Sequence, residues 1–235
     1  MKRRGYFVTG TDTGIGKSWC AAALLAALRR RGHTALGMKP VASGCAETPD
    51  GLRSEDALLL LAQGTTPAPP YELSNPYALA APIAPHLAAR HAGVEIRLDR
   101  ILTALDELGR RAEFIVVEGV GGWWVPLNGR ETVADLAGAA GLPVILVVGI
   151  RLGCLNHALL SADAIRRGPG LAGWIANRVD ADTAYPEENI ASLREHIDAP
   201  LLGVLPHLRG FNADELAERI DLSALLRIDA EPPRI

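Results

Sequence analysis

The sequence has no excess of either charge. With 24 Lys and Arg against 27 Asp and Glu, its formal net charge is −3 over 235 residues. A nucleic-acid binder is normally basic overall or in one block, so that class has no electrostatic support here. Cysteine is scarce as well. Cys20, Cys45 and Cys154 are an odd number without C-x-x-C spacing. They argue against a disulfide framework and a zinc site, and for a reducing, cytoplasmic setting. Long apolar runs are missing too. The longest uncharged one, Leu136 to Ile150, falls short of the ~20 residues that a spanning helix needs. Gly138, Gly141 and Pro143 interrupt it. The basic start Met1-Lys2-Arg3-Arg4 is followed only by Tyr6-Phe7-Val8, too short for the apolar core of a signal peptide.

Apolar residues and turn formers are plentiful. Hydrophobic residues make up 49%, more than a disordered chain carries. The 24 Gly and 16 Pro together exceed the usual ~12%. Short apolar runs recur between helical stretches. Tyr6–Thr9, Thr34–Lys39, Phe114–Val117, Val144–Val148, Leu171–Ala176 and Leu201–Leu205 read as strands. Lys17–Arg31, Asp56–Gln63, Leu98–Arg111, Thr132–Ala140, Leu155–Arg167 and Glu187–Ile197 read as helices. Continuous apolar strands alternating with helices predict an α/β fold: a doubly wound, mainly parallel sheet with helices on both faces. No linker or repeat divides the chain, so one domain is expected over 1–229, with a frayed tail over 230–235. The stretch from Thr65 to Pro85 holds six prolines and reads as a connection rather than a lid.

The first strand runs into Gly10-Thr11-Asp12-Thr13-Gly14-Ile15-Gly16-Lys17-Ser18, and a helix follows. Strand, glycine-rich turn and helix, in that order, are what a phosphate-binding loop requires. Glycines let backbone N–H groups converge on one point, and the helix N-terminus adds partial positive charge there. Lys17 would neutralise terminal phosphate oxygens, and the Ser18 hydroxyl would ligate Mg²⁺. The first glycine stands one residue earlier than in the usual G-x-x-x-x-G-K-[ST] pattern. Lys39 ends the second strand, and Glu118 ends the strand that begins at Phe114. In a doubly wound sheet both fall on the carboxyl edge, where ligands bind. A further carboxylate comes from Ser54-Glu55-Asp56, where spacing does not choose between Glu55 and Asp56. His157 reads as a hydrogen-bonding residue at a helix start, and Cys154 as a small buried one.

Taken in order, these segments resemble the ATP-dependent dethiobiotin synthetase family, of the P-loop NTPase type. The loop with its extra residue, Lys39-Pro40-Val41-Ala42-Ser43-Gly44, Asp56-Ala57, Ala81-Pro82-Ile83-Ala84-Pro85-His86, Val117-Glu118-Gly119-Val120-Gly121-Gly122-Trp123 and Leu152-Gly153-Cys154-Leu155-Asn156-His157-Ala158 match it from Gly10 to about Pro206. The resemblance implies closure of a cyclic urea on 7,8-diaminopelargonate with CO₂ (or bicarbonate) and ATP, with Mg²⁺. It implies catalytic roles for Thr13, Lys17, Lys39 and Ser43, and metal ligation by Ser18, Asp56 and Glu118. Nucleotide contacts fall to Thr13, Gly14, Ile15, Gly16, Lys17, Ser18 and Glu118, to Asn177, and to Pro206, His207 and Leu208 near the base. Gly121 joins the substrate contacts. Leu152, Gly153 and Asn156 would reach the substrate of the other subunit of a homodimer, whose site lies at the interface. No nucleic acid or membrane partner is implied. Gly14 stands where relatives often carry Glu, and Arg151 where they often carry Lys. An acidic ribose contact would be Asp214, Glu215 or neither. A partition-type nucleotide switch and a cobyrinate-type amide synthetase share the loop and the sheet. The former usually has another lysine early in the loop, and the latter a glutaminase domain for which 235 residues leave no room.

Overall fold

A computed structural model describes residues 3–230, with side chains over 3–226. The elements in chain order are β1 (Gly5–Gly10), α1 (Lys17–Arg30), β2 (Ala35–Met38), β3 (Val41–Ser43), β4 (Ala46–Thr48), β5 (Gly51–Arg53), α2 (Glu55–Gln63), α3 (Tyr71–Ser74), β6 (Tyr77–Leu79) and α4 (Pro85–His91). They continue with α5 (Leu98–Gly109), β7 (Phe114–Glu118), α6 (Val133–Ala140), β8 (Val144–Ile150), α7 (Cys154–Arg166), β9 (Leu171–Arg178), α8 (Pro186–His196), β10 (Leu201–Leu205), α9 (Ala213–Ala217) and α10 (Ser223–Ala230). The expected tail, 230–235, lies outside the described residues except for Ala230, which ends α10.

Six strands form one parallel sheet in the order β10-β9-β8-β1-β7-β2. Their side chains alternate between two apolar cores. Tyr6, Val8, Phe114, Val116, Ile145 and Val147 pack with Leu24, Leu25 and Leu28 of α1. Phe7, Ile115, Val117, Leu146 and Val148 pack on the other side with Leu105 of α5, Leu136 of α6 and Ala158 of α7. A sheet covered on both faces explains why its strands read as unbroken apolar runs. α1 is Ala- and Leu-rich and ends on Arg29 and Arg30, which complement its C-terminal dipole. α6 begins with a capping box, Thr132 with Asp135.

All six sheet strands and all six helices expected from the sequence are present, with ends that differ by at most two residues. The small elements are new. β4 and β5 form an antiparallel hairpin, and β3 pairs in parallel with β6. The proline-rich stretch is therefore more than a connection. It supplies α3, β6 and the start of α4, and it holds the end of β2. The Lys39 N–H donates to the Ser74 carbonyl at 2.7 Å, and Asn75 Nδ2 donates to the Lys39 carbonyl at 2.6 Å.

From β1 the chain passes through α1 to β2 at one edge of the sheet, whereas β8, β9 and β10 lie on the other side of β1. The carboxyl ends of β1, β7 and β2 are therefore adjacent at the reversal of strand order, where α/β sheets bind ligands.

Candidate active site

The loop from Gly10 to Ser18 wraps the carboxyl end of β1 and opens directly into α1. Gly16, the N-cap of α1, has φ 83° and provides no side-chain cap. The first-turn N–H groups of α1 thus have no side-chain cap from Gly16 competing with an anion at this helix start. A Cβ on Gly16 would stand 2.2 Å from Asn177 Nδ2, so only glycine fits. Ile15 is buried beneath the loop, and its carbonyl accepts from Asn177 Nδ2 at 2.8 Å.

Lys17 is 6% exposed. Its Nζ folds back onto the Asp12 carbonyl at 2.6 Å. Burial and then the nearby Lys39 charge lower its pKa to about 8, against the pull of Glu118, Asp56 and Asp12. Lys39 is also buried. Its ammonium lies 2.5 Å from Glu118 Oε1 and 2.9 Å from Asp56 Oδ2, and it donates to the Gly119 carbonyl at 3.3 Å. Burial works against that charge, but the two carboxylates outweigh it and the pKa rises. Asp56 is pushed up by burial and pulled down further by Lys39 and the Ser18 hydroxyl, so it ends below its ordinary value. Glu118 is raised because its burial exceeds the pull of Lys39. The Ser18 hydroxyl donates to Glu118 Oε1 at 2.9 Å.

These groups line one cavity of about 450 Å³. Thr13, Gly14, Gly16, Lys17 and Ser18 come from the loop and α1, Lys39 and Ser43 from the β2–β3 segment, Asp56 from α2, and Glu118 and Gly121 from the end of β7. The choice left open between Glu55 and Asp56 falls to Asp56, because only it meets Lys39. Two polar atoms of this cavity's residues, Glu118 Oε2 and Ser43 Oγ, are buried without a partner, a condition that native structures normally relieve with a ligand, ion or water. Among the described residues no group of three or more His, Cys, Asp and Glu side chains could hold a metal. Two carboxylates and a hydroxyl nevertheless suit Mg²⁺, which takes few protein oxygens and completes its shell with water and phosphate.

A second cavity, of about 190 Å³, adjoins the first across Gly14 and Gly16. Asn177, Pro206, His207 and Leu208 line it, so the residues expected near the base do gather. Neither Asp214 nor Glu215 lines either cavity; Asp214 pairs with Arg30 at 3.3 Å. Leu152, Gly153 and Asn156 are not in the phosphate cavity of their own chain. They sit exposed at the start of α7, with Leu152 fully exposed. Arg151 instead reaches the phosphate loop, its Nη2 lying 2.5 Å from Asp12 Oδ2. The Thr13 N–H and Arg151 together hold the Asp12 carboxyl below its ordinary pKa, against burial. Reading the sequence missed this ion pair, and it missed Trp19, which lines both cavities. The signal for Trp19 was an aromatic side chain in the first turn of the phosphate-loop helix.

A larger, mostly apolar cleft of about 1350 Å³ lies between α6 and α7, with Trp123, Trp124 and Leu160 among its walls. Of the expected phosphate and metal groups it contains none. Trp124 is 65% exposed and Leu160 64%. Among the described residues no helix is long and apolar enough to cross a membrane.

Residues 4–215 match the family model described as an AAA domain. The chain is 52% identical over 227 residues to the ATP-dependent dethiobiotin synthetase of Cellvibrio japonicus, covering 96% of this chain and 99% of that one. It is 54% identical over 222 residues to the same enzyme of Pseudomonas paraeruginosa, covering 94% and 97%. Among solved structures, cobyrinic acid a,c-diamide synthase from Mycobacterium smegmatis, with ADP and magnesium bound, superposes with a TM-score of 0.59 at 18% identity, covering 97% of this chain and 96% of that one. A ParA family ATPase from Chlorobium tepidum gives 0.52 at 17%, covering 98% and 93%. At such identities the structural likeness speaks for the fold alone.

Proposed function

Because the chain belongs to the ATP-dependent dethiobiotin synthetase family, we propose that it closes the cyclic urea of dethiobiotin on 7,8-diaminopelargonate, using CO₂ or bicarbonate and ATP with Mg²⁺. One observation supports this reading above the others. A buried lysine from the second strand meets two carboxylates within 2.9 Å, beside a phosphate loop.

In this reading one substrate amine adds CO₂ and loses a proton to give a carbamate. A carbamate oxygen attacks the γ-phosphorus and ADP leaves, which gives a carbamic-phosphoric anhydride. The second amine attacks the carbamoyl carbon and gives up a proton as the ring closes and phosphate departs. An anion attacking a polyanion needs concentrated positive charge at the transition state. Lys17 leaves the Asp12 carbonyl for the terminal phosphate oxygens, and the α1 N-terminus holds the inner ones. Lys39 and the unpartnered Ser43 hydroxyl receive the carbamate, with Thr13 and Gly121 lining the same cavity. Ser18, Asp56 and Glu118 would hold Mg²⁺. When bound, the ion supplies charge neutralisation on the transferring phosphoryl group. Asn177 has Nδ2 committed to Ile15, which leaves its Oδ1 to accept from the adenine amino group. Alignment and charge make up most of what the protein must provide.

The working form in this reading is a cytoplasmic homodimer, each chain a single unit over 1–229. The exposed Trp124 and Leu160 line one apolar cleft suited to a second copy. Docking there would carry Leu152, Gly153 and Asn156 to the partner's substrate. The test is mass-spectrometric detection of dethiobiotin from the diamine, bicarbonate, Mg²⁺ and ATP. Product that depends on all four is expected. ATP hydrolysis without product would favour a nucleotide switch.

A further inference from the structure

Trp19 sits in the first turn of α1, next to Ser18. It lines the phosphate cavity on one side and the cavity of Asn177 and Leu208 on the other. Its indole meets the Phe211 ring edge-on, with centroids 5.8 Å apart and planes at 67°. That contact fastens it to the segment that follows β10. The side chain is only half-buried, so part of the ring remains free. Trp174, by contrast, is fully buried in the core, as packing alone requires. A nucleotide with its phosphates in the first cavity and its base in the second passes the boundary formed by Gly14, Gly16 and Trp19, which both cavities share, and of these only Trp19 offers a side chain.

We propose that Trp19 is a nucleoside-binding residue, whose indole is the apolar wall against which the sugar and base of the nucleotide pack. The inference rests on the nucleotide reading above and adds a residue to it. An aromatic ring offers a broad, rigid surface at small conformational cost, and a base or sugar placed on it loses unfavourable contact with water. Trp19 contributes no charge. Its effect therefore falls on the nucleoside half of the ligand and leaves the phosphate half untouched.

The test compares ADP with inorganic tripolyphosphate by calorimetric titration, on the wild-type protein, Trp19→Ala and Trp19→Phe. Trp19→Ala is expected to weaken ADP about tenfold or more, the scale of a lost aromatic wall, with tripolyphosphate unchanged. Trp19→Phe is expected to recover most of that loss. Equal losses for both ligands would assign Trp19 to loop packing and overturn the inference, as would unchanged ADP affinity. Should Trp19→Ala not fold, tryptophan emission decides. ADP, unlike tripolyphosphate, is expected to perturb wild-type emission, and the perturbation should vanish in Trp19→Phe. A perturbation that survives in Trp19→Phe overturns the inference. Wild-type protein that binds neither ligand overturns the nucleotide reading itself, whereas wild-type binding with indifferent variants overturns only the role of Trp19.

Discussion

Replacing Lys39 with methionine tests the electrostatic logic of the site most directly. The ammonium is within 2.5 Å of Glu118 Oε1 and 2.9 Å of Asp56 Oδ2. The Glu118 side chain is 1% exposed and that of Asp56 43%. Methionine keeps the length and removes the charge. It leaves Glu118 buried beside a second carboxylate with no ion-pair partner, Lys17 acting on it only from beyond ion-pair distance, and stranding one partner of a buried ion pair costs about 3–5 kcal/mol. The Asp56 share is the smaller one, because solvent screens it. Urea unfolding at neutral pH without divalent cation should therefore show Lys39→Met destabilised by about that amount. The double variant Lys39→Met/Glu118→Gln no longer buries the stranded charge. It should regain at least ~2 kcal/mol, within the range of coupling measured between contacting residues. Magnesium at a hundred times its dissociation constant should stabilise Lys39→Met by about 2.7 kcal/mol. Additive losses in the double variant, or a single-variant loss below ~1 kcal/mol, would refute the assignment of Lys39 as counter-charge to Glu118.

Three further outcomes are expected. The Lys17 pKa is near 8 because burial disfavours its charge, whereas bound phosphate favours it. Below pH 8 the lysine is already protonated and binding takes up no proton. Above pH 8 it must be protonated on binding, so ADP affinity should fall by up to about tenfold per pH unit, and flat titrations from pH 7 to 9.5 would count against this. The same shift has a stability sign: between pH 8 and the ordinary lysine value the unfolded chain binds more protons, so this group makes stability rise with pH there. Gly16→Ala places a Cβ 2.2 Å from Asn177 Nδ2 at φ 83°. Left-handed strain plus the lost bond to Ile15 should cost about 2–3 kcal/mol in urea unfolding, and wild-type stability would show that the loop relaxes freely. Leu160→Arg should turn the proposed homodimer into a monomer in light scattering at micromolar concentration, and an unchanged dimer would place the interface elsewhere.

The main sheet was legible because each strand is buried on both faces and reads as an apolar run. The loop was legible because its parts are contiguous. Lys39 and Glu118 could be put on one sheet edge, and the resemblance joined Asp56 to Glu118, but the direct ion pairing of Lys39 with both was not legible, since it depends on β7 lying between β1 and β2, a choice among pairings that local pattern does not encode. The β4–β5 hairpin is largely exposed and lacks apolar alternation; its trace is the Pro49-Asp50-Gly51 turn. β6 is three residues among prolines and exists through its pairing with β3. α9 is five residues held by the Asn212 cap, whose side chain accepts from the Glu215 N–H, too short for helical periodicity to register. The sequence marked Arg151 only as standing where relatives often carry Lys, yet in its own chain the guanidinium holds the loop at Asp12. That partner is 139 positions away, and no spacing rule finds it.

The place of β7 has a consequence for how the protein is made. In the finished sheet β1 and β2 do not pair; β2 is registered against β1 only through β7. A nascent chain that has emerged only as far as Glu113 thus contains both site lysines and no strand to align them. Long-range parallel pairing of this kind is slow and leaves unpaired edges exposed meanwhile. The stretch from Gly5 to Glu113 is where a translating ribosome carries the most unfinished surface. Pauses or truncations before Phe114 should yield aggregation-prone fragments without phosphate affinity, rather than partly active enzyme.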